Sequence, residues 1–317
     1  MTETAAAPPI RNLAVLGAIV VTLLAWASAF VVIRDVAPEI GGGALALGRL
    51  LVGALALGVL VAVRRTWVRP TRREWLLLVL YGLAWFGAYN VALNIAEDTL
   101  DAGTTAMIVN IGPILIALGA GAFLGEGIPR WLVIGALVAF SGVVVIGFAS
   151  SLAVPGREVD IAGMLWALVA AVTYAAGVLA QKPVSRRIPA IQTTFVGCVV
   201  GAVATLPFLG QLVIQAQAAS ASALLGVIYL GVVPTALAFT TWGFALARMP
   251  AGRLGVSTYI VPPLVIVLAW IVLGEVPAVL AVLGGAICLT GVALSRRRSG
   301  GPAATPAAPA SAPPAST

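Results

Sequence analysis

The amino-acid sequence predicts an all-α integral membrane protein, ten transmembrane helices arranged as two inverted five-helix repeats, on three observations. First, 61% of the 317 residues are hydrophobic and 9% are charged, whereas ordinary globular chains carry roughly 25% charged residues. With a mean hydropathy of +1.09, the chain lacks the polar surface to coat soluble domains, and the bilayer becomes its solvent. Second, the apolar residues fall into ten runs near the roughly 20 residues a span needs. Third, the chain matches itself at a near-constant shift of 149 residues.

The first five runs are 13–33, 40–63, 75–95, 102–124 and 131–148, and the second five are 161–180, 191–214, 223–247, 254–273 and 278–294. Short charged or Pro/Gly-rich breaks separate them. Residues 1–11 form a short N-terminal segment, 12–149 a first repeat, 150–296 a second, and 297–317 a Pro/Ala-rich tail read as disordered because it has nothing to bury. Ala27-Ser28-Ala29 resembles a signal-peptide cleavage site. The apolar run continues past it and has a later counterpart, so the first span is expected to be retained.

Orientation follows from basic residues. With the N-terminus in the cytoplasm, 15 of 18 Lys and Arg fall inside: Arg11, Arg64, Arg65, Arg69, Arg72, Arg73, Arg130, Lys182, Arg186, Arg187, Arg248, Arg253 and Arg296 to Arg298. Both termini are therefore expected to be cytoplasmic. The net charge of +7 is a topology signal, so nucleic acid is not an expected partner; the bilayer and a small-molecule substrate are. Seventeen Arg to one Lys suggests a GC-rich bacterial genome and a bacterial inner membrane. Histidine is absent and Cys198 and Cys288 lie in apolar runs, so neither metal nor cofactor is expected and an enzyme is disfavoured.

In the repeat, Leu124-Gly125-Glu126 recurs as Leu273-Gly274-Glu275, Pro113 as Pro262, Gly82 as Gly231, and Ala102-Gly103 as Ala251-Gly252. Near the start a shift of 148 sets Trp26 against Tyr174 and Arg34 against Lys182. An odd number of spans per repeat makes the second copy enter from the opposite face, an arrangement that supports alternating access.

Trp26-Ala27-Ser28-Ala29-Phe30, Arg49 in the second span, the turn before Ala102-Gly103, Pro113 and Pro262, and the duplicated Leu-Gly-Glu resemble the EamA-type family of the drug/metabolite transporter superfamily over residues 12–296. The resemblance implies a bacterial membrane carrier, often an exporter of amino acids or related small metabolites, with a central cavity between its halves.

The candidate substrate-binding residues are Trp26, Arg49, Tyr89, Asn90, Asn110, Tyr174 and Tyr259, with Pro113 and Pro262 as helix breaks. Arg49 is the one ionisable residue deep within a span, and it reads either as a clamp on a substrate carboxylate or as a brace for neighbouring backbone. Asn90 and Asn94 stack four apart in the third span, beside Trp85 and Tyr89, as interhelical glue or as cavity lining. Each mid-span proline strips a donor from the carbonyl four residues earlier, giving either a binding group or a packing kink; Asn110 and Tyr259 sit just before the two prolines. Trp26 and Tyr174 are aromatics with polar tips, suited to wall a cavity. Glu97, Asp98 and Asp101 read as a solvated outer loop. With no carboxylate expected deep in a span, and none in the first span where small multidrug exporters of the superfamily carry theirs, facilitated movement is favoured over proton-driven efflux. Export of an amino acid or related zwitterion is the expected function. Export of hydrophobic or cationic compounds is the alternative, and a membrane-embedded lipid-modifying enzyme the reading from another class.

Overall fold

The computed structural model describes residues 9–65, 67–123, 130–152, 160–249, 251–275 and 278–295. Leu124-Gly125-Glu126, residues 1–8 and the 297–317 tail lie outside the described residues. Every regular element among the described residues is helical. Lipid imposes this: unpaired backbone groups in hydrocarbon cost several kcal/mol each, and a helix satisfies its own.

The chain opens with α1 (Pro9–Val36) and α2 (Gly42–Arg64). A third rod follows, made of α3 (Arg72–Tyr81), a π-helical segment π1 (Gly82–Ala88) and α4 (Tyr89–Thr99). The region expected as the fourth span is broken at Asn110 and Ile111 into α5 (Ala102–Val109) and α6 (Gly112–Phe123), and α7 (Arg130–Leu152) completes the first half. In the second half come α8 (Ile161–Val184), then α9 (Ala190–Ala204) and α10 (Leu209–Ala218), then a rod of α11 (Ala221–Leu230), π2 (Gly231–Leu237) and α12 (Ala238–Leu246). α13 (Ala251–Ser257), a 3-10 turn, α14 (Val261–Leu273) and α15 (Val279–Ser295) end it.

Six helices, Leu13–Val36, Gly42–Arg64, Arg72–Thr99, Ala102–Phe123, Ile161–Val184 and Ala221–Leu246, are long and apolar enough to cross a membrane, and seven if Ala190–Ala204 with Leu206–Ala218 counts as one span. The remaining expected spans correspond to shorter apolar stretches: Val133–Gly142, Thr258–Leu273 and Val282–Gly291. The seventh run, expected as one span over 191–214, bends by 57° between Ala190–Ala204 and Leu206–Ala218. Thr205 leaves helical geometry there and Pro207 sits in a 3-10 turn at the start of the next helix, where its missing N–H is tolerated.

Caps set several starts. Thr71 and Glu74 form a reciprocal capping box at α3, and side chains of Asp101, Asp160 and Ser220 accept from the backbone N–H groups of Thr104, Gly163 and Ala223, which satisfies otherwise orphaned donors.

The two halves share boundaries as well as residues. Residues 82–88 and 231–237, the two π segments, are separated by 149, as are the starts of α3 and α11, α5 and α13, α6 and α14, and α7 and α15. Packing partners recur too: α1 lies on α12 as α8 lies on α4, α1 on α14 as α8 on α6, and α2 on π2 as α9 on π1, while α7 and α15 pack along each other. Glycine makes the close approaches possible. A Cβ on Gly82 would come within 2.5 Å of the Val200 side chain on α9, and one on Gly231 within 2.5 Å of Val52 on α2.

Each π turn leaves carbonyls without their usual donors, and side chains supply them. Asn90 Nδ2 donates to the carbonyls of Trp85 (3.2 Å) and Phe86 (2.9 Å) in π1. In π2, Pro234 cannot donate to the Leu230 carbonyl, and Thr235 Oγ1 donates there instead at 2.7 Å.

Candidate functional site

Where the rods converge, aromatic rings fill the interior. Trp26 of α1 lies 5.9 Å from Trp85, 5.4 Å from Phe239 and 4.9 Å from Trp242, ring centre to ring centre. Trp85 in turn lies 5.0 Å from Tyr174, and Tyr174 lies 6.2 Å from Tyr89. These tilted and edge-on contacts are the favoured ring geometries. Hydroxyls fix the rotation of α1: Thr22 Oγ1 is 2.7 Å from Thr241 Oγ1, and Ser28 Oγ is 2.7 Å from the Tyr229 hydroxyl.

Beside this cluster lies a cavity of about 50 Å³, room for about two waters. Trp26, Ala29 and Phe30 reach it from one face of α1, and Trp85, Tyr89 and Leu93, four residues apart, from one stripe of the third rod. Arg49 enters from α2, Val109 and Asn110 from the break after α5, Tyr174 from α8, Phe239 from α12, and Thr258 from the turn before α14. Val109 and Thr258 are separated by the repeat shift of 149, and Trp26 and Tyr174 by 148; both pairs face the same space.

The polar groups here are chiefly donors. Arg49 is 3% exposed; its Nε donates to Thr235 Oγ1 at 3.2 Å, while its Nη1 has no partner among the described residues. The same holds for Trp26 Nε1 and Asn110 Nδ2. Buried donors without acceptors are costly, about 1–3 kcal/mol each and more for charged groups. On the acceptor side, Pro113 takes the helical donor away from the carbonyl of Val109; at the equivalent Thr258, Pro262 does the same, but the Thr258 carbonyl accepts from the Val261 N–H instead.

Of the residues expected from the sequence, Trp26, Arg49, Tyr89, Asn110 and Tyr174 come together at this cavity. Asn90 does not join them: its Nδ2 donates within its own rod, to π1, while Asn94 Nδ2 donates to the Gly42 carbonyl at 2.9 Å and so ties α4 to α2. Tyr259 lies in the 3-10 turn, half-buried against Ile108 and its neighbours, while adjacent Thr258 faces the cavity. Trp85, Leu93, Val109, Phe239 and Thr258 were not among the expected site residues. The proline rule itself points to Val109 and Thr258, each four residues before a mid-span proline.

The acidic run is also placed differently from expectation. Asp101 caps α5, and Glu97 is not solvated: it is 0% exposed, because Arg34 and Glu275 close over that end of α4.

A bundle of membrane-spanning helices around an aromatic-walled cavity with unpaired polar groups defines a small-molecule membrane transporter. The EamA-like transporter family model matches residues 13–148 and again 161–297, and the chain belongs to that family. It is 36% identical, over 89% of its length and 93% of the relative's, to a protein of Streptantibioticus cattleyicolor named "Probable terminal-alkyne amino-acid exporter". It is 31% identical, over 84% of its length and 86% of the relative's, to the "Uncharacterized transporter YdfC" of Bacillus subtilis. A crystal structure 22% identical in sequence superposes with a TM-score of 0.59, covering 87% of this chain and 96% of the other, which shows a shared fold.

Proposed function

We propose that the protein exports a small metabolite, an amino acid or related zwitterion, across the bacterial inner membrane by alternating access between two inverted five-helix halves, residues 12–149 and 150–296. Both termini face the cytoplasm in this reading, as the distribution of basic residues favours. The shared boundaries and recurring packing partners of the halves support a pseudo-two-fold arrangement, in which rocking of one half against the other opens the central cavity to either side.

The observation that carries the substrate class is the pairing of group types at one cavity. Arg49 Nη1, Asn110 Nδ2 and Trp26 Nε1 are donors without partners, complementary to a carboxylate. The Val109 carbonyl, which Pro113 deprives of its helical donor, is complementary to an ammonium. Together they fit a zwitterion. The name of the Streptantibioticus relative points the same way. The aromatic walls favour a second reading, export of hydrophobic or cationic compounds.

Counterflow of labelled amino acids into liposomes carrying the purified protein tests the proposal. Uptake above empty liposomes, competed by zwitterions but not by their decarboxylated amines, is the expected result. Exchange of the amines alone would establish the second reading, and no exchange of either would remove support for both.

A further inference from the structure

One end of the bundle is closed by a guanidinium. Arg34, near the end of α1, donates through Nε to Glu275 Oε1 at 2.9 Å and through Nη1 to the carbonyls of Glu97 at 2.7 Å and Asp98 at 3.3 Å. Glu275 Oε2 also accepts from the Ala102 N–H at 3.4 Å. These contacts tie α1, the end of α4, the start of α5 and the turn after α14. An open vestibule of about 560 Å³, lined in part by Arg34, Asp35, Asp98 and Glu275, lies on this end.

The Glu97 side chain lies within this closure. Both its carboxyl oxygens are buried without a hydrogen-bond partner among the described residues. Glu97 is one turn beyond the cavity-lining Leu93 on α4, about 6 Å along the helix axis, which places it between vestibule and cavity. The charged and titratable groups facing it are Arg34 of α1, Glu275 after α14, Asp101 at the cap of α5, Arg49 of α2 and Tyr89 of its own helix.

The other half shows what this end would look like without the acid. Lys182, the counterpart of Arg34, donates to the carbonyls of Leu246 (2.8 Å) and Met249 (2.9 Å) at the end of α12. Leu246 stands 149 residues after Glu97, so the same basic cap recurs with leucine in place of the glutamate.

A carboxylate with no donor carries its full desolvation cost, and a carboxylic acid far less. Among the described residues Arg34 is the cation that bonds the backbone at this end, and Glu275 holds it. Two carboxylates sharing one guanidinium make the Arg34–Glu275 contact depend on whether Glu97 carries a proton.

We propose that Glu97 is a proton-binding site that couples export to proton entry. Protonated Glu97 leaves Arg34 with Glu275, and this end stays shut. With substrate in the cavity, Glu97 releases its proton toward the cytoplasm, the carboxylate draws Arg34 from Glu275, and the outer end opens. Substrate leaves outward, a proton from the vestibule returns to Glu97, and the end closes again. One proton enters for each substrate exported. The direction of exchange rests on the export reading above; the proton site does not.

Two measurements on the purified full-length protein test this. In pH-difference infrared spectra, wild type is expected to show a protonated-carboxyl stretch that disappears at alkaline pH and is absent from Glu97→Gln. Glu97→Asp, should the glutamine variant fail to accumulate, is expected to move that band to the aspartic acid position. In the second, Ala29→Cys, in a background with Cys198 and Cys288 replaced by alanine, reports opening to an impermeant maleimide. Divided at each pH by the labelling of the same cysteine in denatured protein, which removes the thiol's own titration, its labelling is expected to rise with pH, by up to about tenfold per pH unit, and to lose that dependence when Glu97→Gln is added. A carboxyl band unchanged in Glu97→Gln, no band in wild type, or labelling that, once so divided, is indifferent to pH in wild type overturns the proposal. Failed counterflow with an intact Glu97 band would instead count against the export reading.

Discussion

Replacing Thr235 with valine keeps the shape of the side chain and deletes one oxygen that serves two partners. Thr235 Oγ1 accepts from Arg49 Nε at 3.2 Å and donates to the Leu230 carbonyl at 2.7 Å, and it is fully buried. A hydrogen bond to a charged group contributes about 1.5–3 kcal/mol and a neutral one about 1 kcal/mol; interhelical bonds measured in membranes average nearer 0.6 kcal/mol. Losing both is therefore expected to cost about 2–3 kcal/mol, the Arg49 share being larger because its guanidinium is left with still less compensation. At roughly 2–4 °C per kcal/mol for chains of this size, the apparent melting temperature in detergent should fall by about 4–12 °C. Thr235→Ser retains the oxygen and should melt close to wild type. The consequence for transport is separate: a guanidinium no longer held at Nε loses its aim into the cavity, so KM for a carboxylate-bearing substrate should rise about tenfold, equivalent to about 1.4 kcal/mol. Valine and serine variants with the same melting temperature and the same KM would refute the reasoning, because Arg49 would then not depend on this hydroxyl.

Asn110→Ala and Trp26→Phe each remove one unpaired donor while sparing most of the packing, and each is expected to weaken zwitterion affinity by about tenfold or more, read by competition counterflow at normal folded yield. Gly231→Ala places a methyl 2.5 Å from the Val52 Cβ and 2.7 Å from the Arg49 carbonyl; the overpacking should cost about 1–3 kcal/mol and lower folded yield on size-exclusion chromatography. Glu39, in the turn between α1 and α2, accepts from the backbone N–H and hydroxyl of Ser220 (2.6 and 2.7 Å), and these bonds hold its carboxyl below the usual carboxylate value. A depressed folded-state value stabilises above the unfolded value of about 4.3 and is lost as pH falls through the folded one. The melting difference between wild type and Ser220→Ala should accordingly be present at neutral pH and shrink in strong acid, as thermal scans across pH would show.

The periodic features of the fold are legible in the sequence because hydrocarbon demands them. Apolar runs, basic flanks and the 149-residue register follow from span length and duplication, and the mid-span prolines mark the breaks that bring Val109 and Thr258 to the cavity. The π segments are not legible. Gly82 and Gly231 are visible as a repeated pair, but the widened turns depend on Asn90 and Thr235 donating to carbonyls four and five residues back, a choice between backbone geometries that composition does not record. The bend before α10 was hidden because Pro207 interrupts an otherwise continuous apolar run. Glu97 was hidden for another reason. Beside Asp98 and Asp101 it reads as a solvated turn, and its burial comes from Arg34 and Glu275, far away in the chain.

The clustering of indoles has a spectroscopic consequence. Trp26, Trp85 and Trp242 lie within 4.9 to 5.9 Å of one another, and the first two line the cavity. Exposed Trp67, Trp75, Trp166 and Trp270 emit from a separate surroundings. Rearrangement of the interior rings around a solute would alter emission and near-ultraviolet ellipticity without any attached dye, so the aromatic wall gives the protein an intrinsic optical reporter at the place where its cargo is proposed to sit.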